Sequence, residues 1–144
     1  MPTRTARTAW NGTLQEGSGQ VELSSSKVGT FDVNFPKRAA DDAGGTTSPE
    51  ELIAAAHAAC FAMSLSNEIG KAGGTPQALD VTADVTLGRD DSGLAITGIT
   101  LTVRAEVEGL DADAFQQAAQ TAKVGCPVSK ALAAVDITLD ATLE

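Results

Sequence analysis

The stretch SPEELIAAAHAACFAMSLSNEIGKAGG, residues 48–74, decides how this chain folds. Ser48 is placed as an N-cap, with Pro49 at the first helical position and Glu50 and Glu51 in the first turn. Each choice suits a helix start, because the cap oxygen, the proline ring and the acidic charges answer the unpaired amides and the positive end of the helix dipole. Glu51 also stands three residues after Ser48, the spacing of a capping box. The helix is predicted to run from Pro49 to about Lys71, where Gly73-Gly74 and Pro76 stop it. At 1.5 Å per residue it is roughly 33 Å long, the width of a small domain. Six alanines lie between Ala54 and Ala62, and few charges separate Glu51 from Glu68. Apolar on most sides, it is expected to be a long, buried central helix whose small side chains let other backbones approach closely.

Strands are predicted on either side of this helix. Arg4–Trp10, Gln20–Leu23 and Thr30–Phe35 read as a meander broken at Asn11-Gly12, Gly17-Ser18-Gly19 and Lys27–Gly29, with residues 36–48 as a loop. After the helix, Val81–Leu87 and Ala95–Val107 alternate in the strand period. Helices follow over Asp111–Lys123 and Pro127–Ala134, then a last strand over Asp136–Leu143. The order β-β-β-α-β-β-α-α-β is an α+β arrangement, expected to form one domain over residues 1–144.

Composition limits function. Ten Lys and Arg against nineteen Asp and Glu give a net charge of −9. A phosphate-binding surface needs clustered cations, so neither nucleic acid nor an anionic membrane is an expected partner. The longest apolar run, Leu52–Leu65, is interrupted by His57 and Ser64 and falls short of a membrane span. The N-terminal residues lack the apolar core of a secretory signal, and a cytoplasmic location is expected. Aromatic residues make up only 3% of the chain, so Ala, Val, Leu and Ile must build the core.

The chain has two cysteines, Cys60 and Cys126, too far apart in sequence for a CxxC pair. Cys126 precedes Pro127, which makes it the expected N-cap of the last helix. Free amides there favour a thiolate, although a buried cysteine filling a turn is the plain alternative. Cys60 lies in mid-helix among alanines, where a cysteine is usually inert core. Reactivity at Cys60 requires an external cation. Of the five arginines, Arg38, in the loop leading into the helix, is the candidate. His57 shares a helix face with Cys60, but no second pair of ligands accompanies them. Neither a metal nor a cofactor is expected, and His57 is read as a core or hydrogen-bonded residue.

The run Ser48–Phe61, ending in His57-Ala-Ala-Cys-Phe61, and the run Gly125-Cys-Pro-Val-Ser-Lys130 together resemble the OsmC/Ohr family of thiol peroxidases, and the OsmC branch in particular. The resemblance implies an OsmC-like α+β fold assembled as an intertwined homodimer. It implies reduction of organic hydroperoxides, with regeneration by a dithiol such as a lipoylated protein. Cys60 matches the peroxidatic cysteine, Cys126 the resolving cysteine and Glu50 the family glutamate, and Arg38 is the choice for the family arginine. Glu50 and Cys60, ten residues apart, are separated by about 15 Å along one helix. An antiparallel helix from a second copy could bring Arg38 and Glu50 of one chain beside Cys60 of the other. The alternative is a non-catalytic protein of this fold that binds an apolar ligand or senses peroxide through Cys60.

Overall fold

A computed structural model describes residues 1–144. The chain divides into two compact units, Met1–Leu52 and Ile53–Glu144. Strands β1 (Arg7–Asn11), β2 (Ser18–Glu22) and β3 (Thr30–Val33) form an antiparallel sheet in that order within the first unit. Asn11-Gly12 does open a turn, with Gly12 at φ +95°, a conformation that suits glycine. The connection is longer than a two-residue hairpin, because pairing resumes only at Asn11↔Ser18.

The expected loop over residues 36–48 contains a short helix, α1 (Phe35–Arg38). Asn34 caps it by accepting from the Lys37 amide at 2.8 Å, and Pro36 sits in its first turn. A proline read as the end of a strand is thus part of a helix start, which its fixed φ suits equally well. The backbone of this segment carries Arg38.

Helix α2 spans Pro49–Lys71, as the caps predict. The Glu51 amide donates to the Ser48 hydroxyl at 3.1 Å. The reciprocal half of the capping box differs: the Glu51 carboxylate accepts from the Thr47 hydroxyl instead of the Ser48 amide. At the far end, Gly73 adopts φ +91° and the Gly74 amide returns to the Ile69 carbonyl at 3.0 Å, satisfying a terminal acceptor.

The expectation of burial on most sides needs correction. The residues of α2 shielded from solvent are Glu50, His57, Phe61, Leu65 and Ile69, whereas Ala55, Ala56, Ala59 and Met63 are exposed in this chain. The limit set on apolar length is corrected too. Taken whole, Pro49–Lys71 is long and apolar enough to cross a membrane by length and composition, a test that the core helix of a globular protein also passes.

In the second unit, β4 (Thr75–Asp90) and β5 (Gly93–Glu108) pair antiparallel, and β6 (Ile137–Leu143) joins β5 in parallel, giving the order β4-β5-β6. Strand β4 begins earlier than its alternation suggests. Pro76 lies beside a register shift, where a missing N–H is tolerated. Helix α3 (Ala112–Gly125) is capped by Asp111, whose carboxylate accepts from the Ala114 amide at 2.8 Å. Helix α4 (Pro127–Ala131) follows after one residue, Cys126.

The core forms where three faces meet. Helix α2 presents Phe61, Leu65 and Ile69, and β5 presents Leu101, Val103 and Ala105 at period two. Helix α3 presents Phe115, Ala118, Ala119 and Ala122 at helical spacing. Only two of these residues are aromatic, so the small side chains of α3 let it lie close on the sheet.

Candidate functional site

The candidate residues assemble as two pairs, one within each compact unit. In Met1–Leu52, α1 carries Arg38 and the first turn of α2 carries Glu50. Arg38 Nε donates to Oε1 and Oε2 of Glu50 at 3.2 and 3.1 Å, and Nη2 donates to Oε1 at 2.7 Å. The pair thus uses the Nε–Nη2 edge and leaves Nη1 facing away from the carboxylate. Such a fork holds the guanidinium in one plane, which a lysine could not do. Glu50 is buried and Arg38 half-buried.

Burial alone would raise the Glu50 pKa, but the Arg38 hydrogen bond, the local amide and the Arg38 charge outweigh it. The carboxyl is held below its ordinary value of 4.5. Arg38, hydrogen-bonded to Glu50, is shifted upward and stays charged. Because the folded pKa of Glu50 lies below the unfolded one, its contribution to stability is complete above about pH 4.5 and is lost as pH falls through the folded value. An acid titration of Tm is expected to show this loss. Glu50→Gln is expected to start from a lower plateau and fall less steeply there, and an unchanged slope would contradict this account of the pair.

Beside Arg38 the same unit has a cleft of about 390 Å³, lined by Trp10, Leu14, Val21, Phe35 and Leu52 among others. Its wall is thus mostly apolar, with one guanidinium at its edge.

In Ile53–Glu144 the two sulfurs meet. Cys60 is in the middle of α2, and Cys126 is at once the C-cap of α3 and the N-cap of α4. The two Sγ atoms are 2.8 Å apart, and both cysteines are free thiols. Cys126 is fully buried and Cys60 partly so. The backbone holds Cys126 from both sides: its amide donates to the Ala122 carbonyl at 2.9 Å, and its carbonyl accepts from the Lys130 amide at 3.0 Å.

The two thiols are driven in opposite directions. Burial raises the pKa of Cys60, and the bond to Cys126 adds to this. The Val128 amide and the Ser64 hydroxyl oppose the shift without reversing it. Burial also penalises the Cys126 thiolate, but there the Cys60 hydrogen bond, together with the Ser129 amide and hydroxyl and the Val128 amide, brings the pKa below its ordinary value. Of the two, Cys126 is therefore the thiol that ionises more readily. No amide makes a well-formed capping bond to the Cys126 sulfur, so those groups act through longer or bent contacts. The expected N-cap position is present, but its help to the thiolate comes as much from neighbouring side chains as from the helix end.

His57 is fully buried, and its Nε2 lies 2.7 Å from the Ser129 hydroxyl. The reading of His57 as hydrogen-bonded core fits this position, and burial lowers its pKa, so the ring is neutral near pH 7. Sequence reasoning passed over Ser64 and Ser129. Spacing could have flagged both: Ser64 is one helical turn after Cys60, and Ser129 is in the first turn after Cys126.

Comparison with known proteins identifies the family. The profile described as OsmC-like protein matches residues 41–140. The chain is 47% identical over 135 residues to Peroxiredoxin OsmC of Escherichia coli (strain K12), covering 94% of this chain and 92% of that one. It is 34% identical over 122 residues to the organic hydroperoxide resistance protein OhrA of Bacillus subtilis (strain 168), covering 82% and 84%. Its fold superposes on the crystal structure of OhrB of Bacillus subtilis with a TM-score of 0.75 at 30% identity, covering 96% of this chain and 98% of that one. With a matching profile, close relatives along nearly the whole length and the same fold, the chain belongs to the OsmC-like protein family.

Proposed function

We propose that this protein is a thiol-dependent peroxidase that reduces organic hydroperoxides to alcohols. A peroxide-related role agrees with the names of its relatives, Peroxiredoxin OsmC and the organic hydroperoxide resistance protein. The finer reading rests on one observation: the only two cysteines of the chain hold their sulfurs 2.8 Å apart.

The chemistry follows from that pair. Cys60 attacks the distal oxygen of ROOH and the O–O bond breaks. The Cys60 proton goes to the departing alkoxide, leaving a sulfenic acid and an alcohol. The Cys126 thiolate then attacks the Cys60 sulfur. The S–O bond breaks, hydroxide leaves as water with a proton from solvent, and a disulfide remains. A dithiol reductant, of the lipoyl type, exchanges that disulfide back to two thiols and becomes the oxidised partner.

Within this reading, Arg38 stabilises the developing negative charge and Glu50 fixes its orientation. The protein acts as a cytoplasmic homodimer in which Arg38 and Glu50 of one copy serve Cys60 of the other. The exposed alanines and Met63 on α2 are the kind of close-packing surface such a dimer uses. A guanidinium at Cys60 offsets the upward pull on its thiol. The apolar cleft edged by Arg38 favours an alkyl or lipid hydroperoxide over hydrogen peroxide.

The test is to add one equivalent of an alkyl hydroperoxide to the reduced protein and count thiols. Loss of both thiols, release of the alcohol and repeated turnover with a dithiol are expected. Retention of both thiols would overturn the proposal. Cys126→Ser is expected to react once, accumulate oxidised Cys60 and turn over at least about 10-fold more slowly with the dithiol, since its intramolecular partner is gone. Trapping of the sulfenic acid measures this.

A further inference from the structure

Behind Cys126 lies a polar pair that the peroxidase chemistry above does not use. His57 has no exposed surface, and its only hydrogen bond is to Ser129, which is itself almost completely buried. Nδ1 of the ring has no partner. A buried imidazole is costly among Phe61, Leu65 and their neighbours unless its N–H is satisfied. The network settles where that proton sits. A proton on Nδ1 would leave a buried N–H unpaired, whereas a proton on Nε2 is donated to the Ser129 oxygen, and the orphan is then only a lone pair. The Ser129 oxygen, accepting from His57, is left with its own proton to give. Ser129 stands in the first turn of α4, the helix that Cys126 caps, and its hydroxyl is among the groups that favour the Cys126 thiolate.

We propose that His57 and Ser129 are positioning residues for Cys126: His57 Nε2–H donates to Ser129 Oγ, and Ser129 Oγ–H donates to Cys126 Sγ, holding that sulfur as the nucleophile that closes the disulfide.

Three observations carry this. The His57–Ser129 bond is short and shielded from water, so competing solvent does not weaken it. Both residues sit where the chain must put them. His57 is one turn before Cys60 on α2, and Ser129 is three residues after Cys126 on α4, so the bond ties the helix carrying one cysteine to the helix begun by the other. The relay also runs one way. A neutral His57 donates through Nε2, so its bond polarises the Ser129 hydroxyl, leaving that proton free to point toward the cap residue Cys126. The directions of the thiol shifts agree, with Cys126 below its ordinary value and Cys60 above. Cys60 is the titratable group that acts on Cys126, and burial lowers the pKa of His57.

The inference rests on the proposed disulfide chemistry only for its purpose, so the test separates the two. Cys60→Ser leaves one thiol, and the ultraviolet absorbance of its thiolate then titrates Cys126 alone. Adding Ser129→Ala, or separately His57→Phe, is expected to raise the titration midpoint by about one pK unit, a roughly 10-fold smaller thiolate fraction near neutral pH. His57→Gln, which keeps a donor near the Nε2 position, is expected to recover much of the shift. With Cys60 restored, Ser129→Ala should slow disulfide closure after peroxide addition about 10-fold at neutral pH and recover at alkaline pH, where the thiolate forms unaided. Unmoved midpoints in both the serine and the histidine variants would overturn the relay, even if the native protein forms its disulfide normally. Shifted midpoints in a protein that never forms a disulfide would leave the relay standing and overturn the peroxidase reading. Melting curves identify any variant that fails to fold, and the remaining variants then decide.

Discussion

Cys60→Ser is expected to abolish dithiol-dependent consumption of an alkyl hydroperoxide, with a loss on the order of 10³-fold or more. The reason is chemical. A serine hydroxyl is almost never ionised near neutral pH, and its oxygen is a poor nucleophile toward a peroxide oxygen. A thiolate is polarizable and strongly nucleophilic. The substitution removes one small, partly buried sulfur from mid-helix and leaves the caps of α2 and the core residues Phe61, Leu65 and Ile69 in place. Far-ultraviolet dichroism and Tm should change little while activity disappears. Retained turnover in this variant would transfer the chemistry to another group and sink the assignment of Cys60.

Arg38→Met is the second large effect. Removing a charged donor aimed at developing negative charge costs about 10²–10³-fold in rate. Arg38→Lys is expected to recover little, because an ammonium cannot reproduce the two-point contact to Glu50. Part of the loss is structural. Without its guanidinium the buried Glu50 carboxylate is left uncompensated, at about 1–3 kcal/mol. Melting curves measure that share, and steady-state rates on the folded fraction measure the rest. If the site is composite, the variant gives a sharper result. Mixing refolded Arg38→Met with Cys60→Ser should restore activity, since a mixed dimer has one site with an intact arginine and an intact cysteine. Two inactive variants that stay inactive when shown to exchange subunits would place all four residues in one chain, and an active monomer in sedimentation would do the same.

The sequence and the structure agree most closely where local chemistry dictates the backbone. The start of α2 follows from Ser48, Pro49 and the two glutamates, because capping depends on residues within one turn of each other. Cys126 as the N-cap of α4 follows from Pro127 in the same way. The alternation of β5 reports a strand with one face in the core. Where two local signals compete, sequence reasoning chose wrongly. Phe35-Pro36 fits a strand end as well as a helix start, and only the Asn34 side chain turning to the Lys37 amide decides it. Pro76 does lie beyond the end of α2, but β4 also passes through it at a register shift, so the strand starts before the expected Val81.

By itself, then, the sequence showed the order of the strands and longer helices, the caps of the central helix and the place of the two cysteines from residue type and short spacing, while Arg38 and Glu50 entered as a candidate pair with the family resemblance. Tertiary structure alone decided what these groups touch. The 2.8 Å approach of Cys60 to Cys126 and the bond from His57 to Ser129 join α2 to the α3–α4 junction across more than sixty residues. No local rule encodes that juxtaposition. It arises because the core faces of α2, β5 and α3 must be buried together, and their packing carries the sulfurs to one another. The exposed alanine face of α2 has the same origin. Spacing showed that the helix is apolar on most sides, and only the packed chain showed which side its own core covers.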